Sequence, residues 1–289
     1  MNTYRSAAIE KANCPSCNAP LKGKYCYGCG EKKLHEEEMT IRYFVGKVWN
    51  ALTFTDIKFL RSISALLFKP GKLTAEFFAG RRRLYTAPLA LFFFINLVYF
   101  LYQPVDALNS TFRSQTEGQP YSDWASGLVE QKMAEKEVGE EIFSANYNHM
   151  SQQISKICLI VFVFFFAIGL AIVNVKRKSL FYFHLISATH LVGFSILSML
   201  ILLPLLVTLI LLLYIIIAGR DSPGLDLNMW YITSPVLAIL GIYAYKMQRR
   251  LYVQGFFTTL AKTLLIIVFF IVSVILYRLF LFVFTMILI

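Results

Sequence analysis

Four cysteines near the start of the chain have the spacing of a metal site. Cys14 and Cys17 form one C-x-x-C pair, and Cys26 and Cys29 form a second pair after eight intervening residues. A C-x-x-C turn directs two thiolates at one ion, and two such turns complete a tetrahedral shell of sulfur ligands. The spacing therefore predicts a zinc ribbon over residues 1–35 that binds structural Zn²⁺, because four protein ligands leave no open position for catalysis.

The alternative interpretation is a pair of redox-active C-x-x-C sites. Such sites normally lie in a thioredoxin-like arrangement of strand and helix, and no such pattern surrounds these cysteines. A segment of this length also contains too few apolar residues for a core, so a bound metal must stabilise it. We therefore favour zinc, and we expect the ribbon to contact a cytosolic protein partner.

The rest of the chain has the composition of a membrane protein. It is 57% hydrophobic and 16% charged, whereas soluble domains are about 45–50% apolar and about 25% charged. The apolar stretches, each read as one membrane span, are roughly 87–102, 154–175, 180–218, 229–245 and 256–289. The sequence thus predicts an all-α integral membrane protein with a five-helix transmembrane bundle over 86–289 and an external loop at 104–153.

The charge distribution predicts the orientation of the chain. The net charge is +11, and residues 1–85 hold 15 Lys and Arg against 7 Asp and Glu. The loop 104–155 holds 3 basic against 8 acidic residues. Basic residues concentrate on the cytoplasmic side of membrane proteins. We therefore expect a cytoplasmic N-terminus, an external C-terminus and lipid rather than nucleic acid as the partner of the basic surface.

The stretch 180–218 is long enough for one tilted helix or for two short ones. A hairpin at Pro204 would give six spans and would move the basic cluster at 246–250 to the outside. One long helix keeps that cluster inside, so we expect a single helix that is kinked or tilted near Pro204.

Residues 36–85 are predicted to form a linker with basic amphipathic helices beside the membrane. An acidic hinge at 36–38 precedes apolar positions in 41–52. A second apolar face is expected to consist of Ile57, Leu60, Ile63, Ser64 and Leu67. Gly80 should end the last helical turn before three arginines. Such helices either lie in the lipid headgroup plane or pack on the ends of the spans. The arginines expected to contact lipid are Arg81, Arg82 and Arg83.

Polar residues within the spans are the remaining functional candidates. If the last span begins at Phe256, Arg278 reaches the outer interface as a lipid or interface contact, and residues 279–289 fold along that interface. If the span begins after Lys262, Arg278 lies within the membrane and needs a carboxylate partner, which the spans do not contain. We favour the first arrangement. His184 and His190 are six residues apart, which separates them around a helix and disfavours a shared metal. Asn96 and Asn174 are expected to form hydrogen bonds between helices.

The juxtamembrane motifs resemble those of a known family. Their order along the chain is Tyr25-Cys26-x-x-Cys29-Gly30, Asp56-x-x-Phe59, Leu67-x-x-Pro70-Gly71 and Gly80-x-Arg82-x-x-Tyr85-x-x-Pro88. Over about residues 14–103 the chain resembles an uncharacterised bacterial family of zinc-ribbon membrane proteins, domain of unknown function 3667. The resemblance implies a bacterial inner membrane and implies no reaction. The arginine triplet departs from the Gly-Lys-Arg type of sequence expected there.

Three functions remain open from the sequence. The first is a non-enzymatic membrane protein whose zinc ribbon recruits a cytosolic partner. The second is a transporter or channel subunit in which Arg278, His184 and His190 line a path. The third is a lipid-modifying membrane enzyme, although the sequence contains no hydrolase, metalloprotease or nucleotide-binding motif.

Overall fold

The computed structural model describes residues 13–33, 57–102, 111–177, 180–218 and 229–289. Within these ranges the protein is helical and has no strand beyond two isolated β-bridges in the cysteine segment. The acidic hinge predicted at 36–38 and the amphipathic stretch at 41–52 lie outside the described residues.

The α-helices, in chain order, are α1 (Ile57–Phe68), α2 (Lys72–Phe78), α3 (Pro88–Tyr102), α4 (Phe112–Glu117), α5 (Ser122–Lys136), α6 (Glu140–Val173), α7 (Phe181–Leu197), α8 (Leu203–Ala218), α9 (Met229–Tyr252) and α10 (Phe256–Leu288). The longest of them, α6 and α10, pack on each other over much of their length, and α7 packs on both α6 and α3.

In the described part of the chain, three helices are long and apolar enough to cross a membrane. They are α6, the continuous helix Phe181–Ile217 and α10. The predicted five spans are not supported. Helix α3 has 15 residues, or about 22 Å at ~1.5 Å per residue, against a hydrocarbon core of about 30 Å. Helix α9 is not among the candidate spans, because aromatic residues at its start and the basic cluster at its end lower its mean hydropathy.

The long apolar stretch forms one helix, as predicted. A π-helical segment, Ser198–Leu202, joins α7 to α8 without a break. It ends two residues before Pro204, which has no N–H to donate and would clash with a regular preceding turn. The wider turn accommodates the proline without a hairpin.

Close helix packing in the bundle depends on a small residue. A Cβ atom at Gly169 of α6 would lie 2.7 Å from Cβ of Phe269 on α10, so glycine permits this crossing.

The predicted role of Asn96 is confirmed, because its amide donates to the carbonyl of Lys156 at 2.9 Å and joins α3 to α6.

Helices α1 and α2 pack on the end of the bundle rather than lying apart from it. Both contact α7, and α2 also contacts α9. Gly71, between them, has φ 72°, and a Cβ there would approach Cα of Met247 on α9 to 3.0 Å. Arg250 of α9 donates to the carbonyls of Lys69 and Pro70 at 3.3 and 2.8 Å. The α1–α2 turn is therefore fixed to the basic end of α9.

The buried face of α1 agrees only in part with the predicted one. Ile63 and Leu67 are half-buried against the core. Leu60 and Ser64 are exposed, whereas Ser62 and Leu66 are buried. The Ser62 hydroxyl donates to a backbone carbonyl of its own helix and accepts the backbone N–H of Thr86 at 2.9 Å. This hydrogen bond ties α1 to the loop before α3, and a pattern of apolar residues could not reveal it.

The end of the bundle opposite α1 and α2, here called the far end, has its own apolar cluster. The far-end cluster comprises Phe112, Ala125, Val129, Phe143, Tyr147, Phe282 and Met286. Helix α10 begins at Phe256 as predicted, but it continues to Leu288 instead of folding along an interface after Arg278. The prediction for 279–289 was wrong because α4 and α5 cover the last turns of α10 and keep them helical.

Candidate metal centre

The four cysteines converge on one point. The sulfur atoms of Cys14 and Cys29 are 3.6 Å apart, those of Cys17 and Cys26 are 3.4 Å apart, and all four lie within 4.8 Å of one another. None of them forms a disulfide. A tetrahedral ion with sulfur ligands at ~2.3 Å separates the sulfurs by about 3.8 Å. The residues therefore fit a four-coordinate metal ion.

The two cysteine pairs are folded as local repeats of each other. The backbone N–H of Cys14 donates to the carbonyl of Ala19, and that of Cys26 donates to the carbonyl of Glu31, both at 2.7 Å. The residue after each pair, asparagine in the first and glycine in the second, has a positive φ of 62° and 70°. These residue types tolerate the left-handed region best, which explains why both turns close on the sulfurs.

The local electrostatics favour one thiolate over the others. Burial alone would raise the pKa of Cys26, but hydrogen bonds from the backbone of Cys29 and Gly28 and from neighbouring thiols lower it to about 7. The backbone of Glu31 favours the Cys29 thiolate, yet burial and the three neighbouring thiols raise its pKa to about 12. Four thiolates so close together require a cation to neutralise them, and metal binding would release their protons.

Glu31 docks the cysteine segment on the bundle. Its buried carboxylate accepts the backbone N–H groups of Arg82 and Arg83, each at 3.1 Å, and the hydroxyl of Ser16 at 2.8 Å. Sequence reasoning missed this residue. The sequence feature that could have pointed to Glu31 is that an acidic residue stands there at the position that corresponds to Ala19 in the first cysteine pair.

The three predicted arginines have separate environments. Arg81 forms an ion pair with Glu76, with Nη2 donating to Oε1 at 2.8 Å, and this hydrogen bond lowers the pKa of the Glu76 carboxyl. The guanidinium of Arg82 lies over the Phe77 ring, 4.4 Å from its centre. Arg83 is exposed.

Arg83 turns toward the cysteine segment rather than toward the bundle. A Cβ atom added at Gly30 would lie 3.2 Å from Nη1 of Arg83. On the same side, a Cβ at Gly80 would lie 3.4 Å from Cγ of Pro15. Gly80 also has φ 85°, so glycine serves both the backbone turn and the close approach of the ribbon.

The segment on which the ribbon docks matches a known protein family. Residues 56–100 match the family described as Protein of unknown function (DUF3667). This match confirms the predicted family resemblance over α1, α2, the arginine loop and most of α3. The cysteine pairs precede the matched residues. No curated protein and no solved structure matches the chain.

Two of the polar residues predicted in the spans meet the DUF3667 segment. Asn96 lies within it on α3, and Nδ1 of His190 on α7 lies 2.8 Å from the Thr74 hydroxyl of α2. Lys262 donates to the side-chain oxygen of Asn174 at 3.0 Å, which joins α10 to the end of α6 and confirms the predicted role of the asparagine.

Arg278 lies at the far end. Its backbone carbonyl accepts the side-chain amide of Gln115 at 3.1 Å, and Tyr121 donates to that same amide group at 2.6 Å. It is 22 residues after Phe256, or about 33 Å along the helix axis. Arg278 therefore shares no site with the cysteines or with His190.

Proposed function

We propose that this chain is a non-enzymatic protein of the bacterial inner membrane whose zinc ribbon contacts a cytosolic protein partner. The observation that carries the proposal is the convergence of four cysteine sulfurs within 4.8 Å of one another. In this proposal the ion is Zn²⁺, because four thiolates in a tetrahedral arrangement are a typical structural zinc shell. With every position filled by protein, the ion holds the ribbon together and does not act on a substrate.

The position of the ribbon supports a cytoplasmic location. It docks through Glu31 on a loop that carries three arginines, and the basic end of α9 fixes the neighbouring α1–α2 turn. Basic residues next to spans favour the cytoplasmic side. We therefore place the N-terminus inside and the C-terminus outside. The shorter helices α3 and α9 would complete the bundle as two further membrane-embedded helices.

The exposed surface of the second cysteine pair is suited to a protein contact. Tyr25 and Tyr27 are 62% and 72% exposed, and Lys22 and Lys24 beside them are exposed as well. Tyrosine is enriched at protein interfaces because it offers apolar area and a hydroxyl at a small entropic cost. The side of the ribbon that carries Pro15 and Gly30 faces Gly80 and Arg83 of the bundle, so the tyrosine surface is the side that we expect a partner to contact.

The proposal is tested by quantitative affinity purification of the full chain from its native cells. The variants are Tyr27→Ala and Cys14→Ser, with Tyr102→Ala as the matched control, since Tyr102 is 70% exposed at the end of α3. We expect the same cytosolic protein to be enriched by the wild type and by the control and to be lost from both ribbon variants. Equal recovery from all four proteins, or recovery from none, would contradict the proposal.

A further inference from the structure

The two cysteine pairs are repeats in their backbone but not in their side chains. Residues 13–21 form the first repeat and residues 25–33 the second. Each has an isolated β-bridge and a backbone hydrogen bond from its first cysteine at matching positions. The first repeat contains no charged residue, whereas the second contains three. Because each repeat supplies two sulfur ligands in the same way, metal binding does not explain this difference.

Tyr27 occupies the position in the second repeat that Pro15 occupies in the first. Pro15 lies against the bundle, where a Cβ atom added at Gly80 would be 3.4 Å from its Cγ. Tyr27 is instead 72% exposed, and Tyr25 is 62% exposed. The position that contacts the bundle in one repeat therefore carries an exposed aromatic ring in the other. Aromatic residues are enriched where proteins bind one another.

Three lysines accompany these tyrosines. Lys22 and Lys24 are exposed, and the backbone N–H of Lys33 donates to the carbonyl of Lys24 at 2.9 Å, so these two residues lie on neighbouring backbone segments. None of the three lysines forms an ion pair with a described residue. The acidic residue of this segment, Glu31, directs its carboxylate to the arginine loop. Since like charges on neighbouring segments repel each other, an anionic partner would stabilise this surface.

The residue types favour carboxylates over phosphates as the bound anions. Residues 13–33 contain no arginine. The planar guanidinium of arginine suits phosphate because it donates two parallel hydrogen bonds, whereas the ammonium of lysine acts as a point charge. Nucleic-acid sites also neutralise several phosphates, about 6–10 in many proteins. Three lysines are enough for a few carboxylates but not for such a backbone.

We infer that the partner of the ribbon presents an acidic peptide segment that includes an apolar side chain. Its carboxylates would pair with Lys22, Lys24 and Lys33, and the apolar side chain would pack on the ring of Tyr27. The inference rests on the proposed function, because it specifies the chemistry of the protein that the ribbon recruits. The metal acts indirectly, by holding the repeat that carries these side chains.

Binding is measured by fluorescence anisotropy on the full chain in detergent, with its zinc content determined in parallel. The probe is a labelled synthetic peptide of glutamate and phenylalanine residues, and the same peptide with glutamine in place of glutamate is the charge control. A labelled oligothymidylate and micelles that contain phosphatidylglycerol test the two phosphate alternatives. The variants are Lys24→Gln, the double variant with Lys22→Gln, and Lys69→Gln. Lys69 is a matched control, since it is an exposed lysine in the α1–α2 turn rather than in the ribbon.

We expect Lys24→Gln to weaken binding of the acidic peptide about threefold and the double variant to weaken it about tenfold, the effects of losing one and two exposed charge pairs. Lys69→Gln should weaken it by less than about 1.5-fold, because its ammonium lies outside the surface. The zinc content should be the same in all variants. High salt should lower the affinity of the wild type toward that of the double variant, since exposed charges are screened.

Equal losses in Lys24→Gln and Lys69→Gln, equal binding of the glutamine peptide, or no binding of the acidic peptide would overturn the inference. Tighter binding of oligothymidylate or of phosphatidylglycerol would overturn it as well. A cytosolic protein that is recovered by affinity purification and is not displaced by the acidic peptide would overturn the inference but leave the proposed function intact. Peptide binding with the expected losses, together with no recovered protein, would contradict the proposed function and support the chemistry inferred for this surface.

Discussion

The ribbon end and the far end of the molecule are stabilised by different forces. At the ribbon end, the residues buried in the cysteine segment are Cys14, Cys26 and Glu31, and Glu31 joins the segment to the bundle through hydrogen bonds to backbone N–H groups. At the far end, seven apolar residues contributed by α4, α5, α6 and α10 form a cluster. With the proposed metal bound, one end depends on chemistry that a chelator or a proton can reverse, and the other depends on apolar burial.

Because of this difference, we expect the two ends to lose their folded structure under different conditions. A chelator removes a metal ion but leaves apolar contacts in place. A cavity in the far-end cluster weakens apolar packing but leaves sulfur ligands unchanged. Variants chosen at each end can therefore show whether the stabilities of the two ends are separate or coupled through α6 and α10.

The largest effect is expected from Cys14→Ser. Structural zinc contributes about 10–16 kcal/mol to the folding of zinc-finger peptides, so loss of one ligand should unfold the ribbon. Limited proteolysis should then cut within 13–33, and bound zinc should fall to a small fraction of one ion per chain. Hydrogen exchange in α5 should not change. A ribbon that stays protected after this substitution would show that the metal is not its core.

Phe282→Ala should produce the next largest effect, at the far end. Phe282 is fully buried, and truncation of a buried phenylalanine costs about 3–5 kcal/mol. Hydrogen exchange should accelerate in α4 and α5, while the zinc content stays constant. Phe284→Ala is the matched control, since Phe284 is 38% exposed on the same helix. Equal exchange in both variants would argue against the far-end cluster.

Glu31→Ala should separate metal binding from docking. The carboxylate accepts two backbone N–H groups and one hydroxyl, and hydrogen bonds to a charged group contribute about 1.5–3 kcal/mol each. We expect the ribbon to keep its zinc and to leave the arginine loop, so that exchange at the N–H groups of Arg82 and Arg83 rises. Ser16→Ala should change it less. Loss of zinc in the Glu31 variant would mean that docking and metal binding are one event.

Glu76→Gln should have the smallest effect and a pH dependence. Arg81 lowers the pKa of Glu76 in the folded protein, so the pair stabilises the fold above the unfolded carboxyl pKa of about 4.3, and this contribution is lost as pH falls through the folded value. The two side chains are 31% and 16% exposed, which limits the effect to about 1 kcal/mol or less. The stability difference between wild type and variant should therefore shrink below about pH 4. A difference that is constant with pH would exclude the ion pair as its cause.

Sequence patterns predicted the features that depend on residue type and charge. The cysteine spacing predicted the converging sulfurs, the position of the basic cluster at 246–250 predicted a single long helix at Pro204, and the family match over 56–100 agrees with the quoted motifs. The predicted five spans are not supported, because α3 is apolar but short and α9 is less apolar. The role of Glu31 and the cover over the end of α10 depend on contacts between segments distant in the sequence, which periodicity cannot encode.

The central claim is that the four cysteines hold one zinc ion that folds the ribbon. X-ray absorption spectroscopy at the zinc edge, on the full chain purified without added metal, tests it most directly. We predict one zinc per chain with four sulfur neighbours at ~2.3 Å. Nitrogen or oxygen neighbours in the shell, or a metal-free chain whose cysteines are paired in disulfides, would contradict the account.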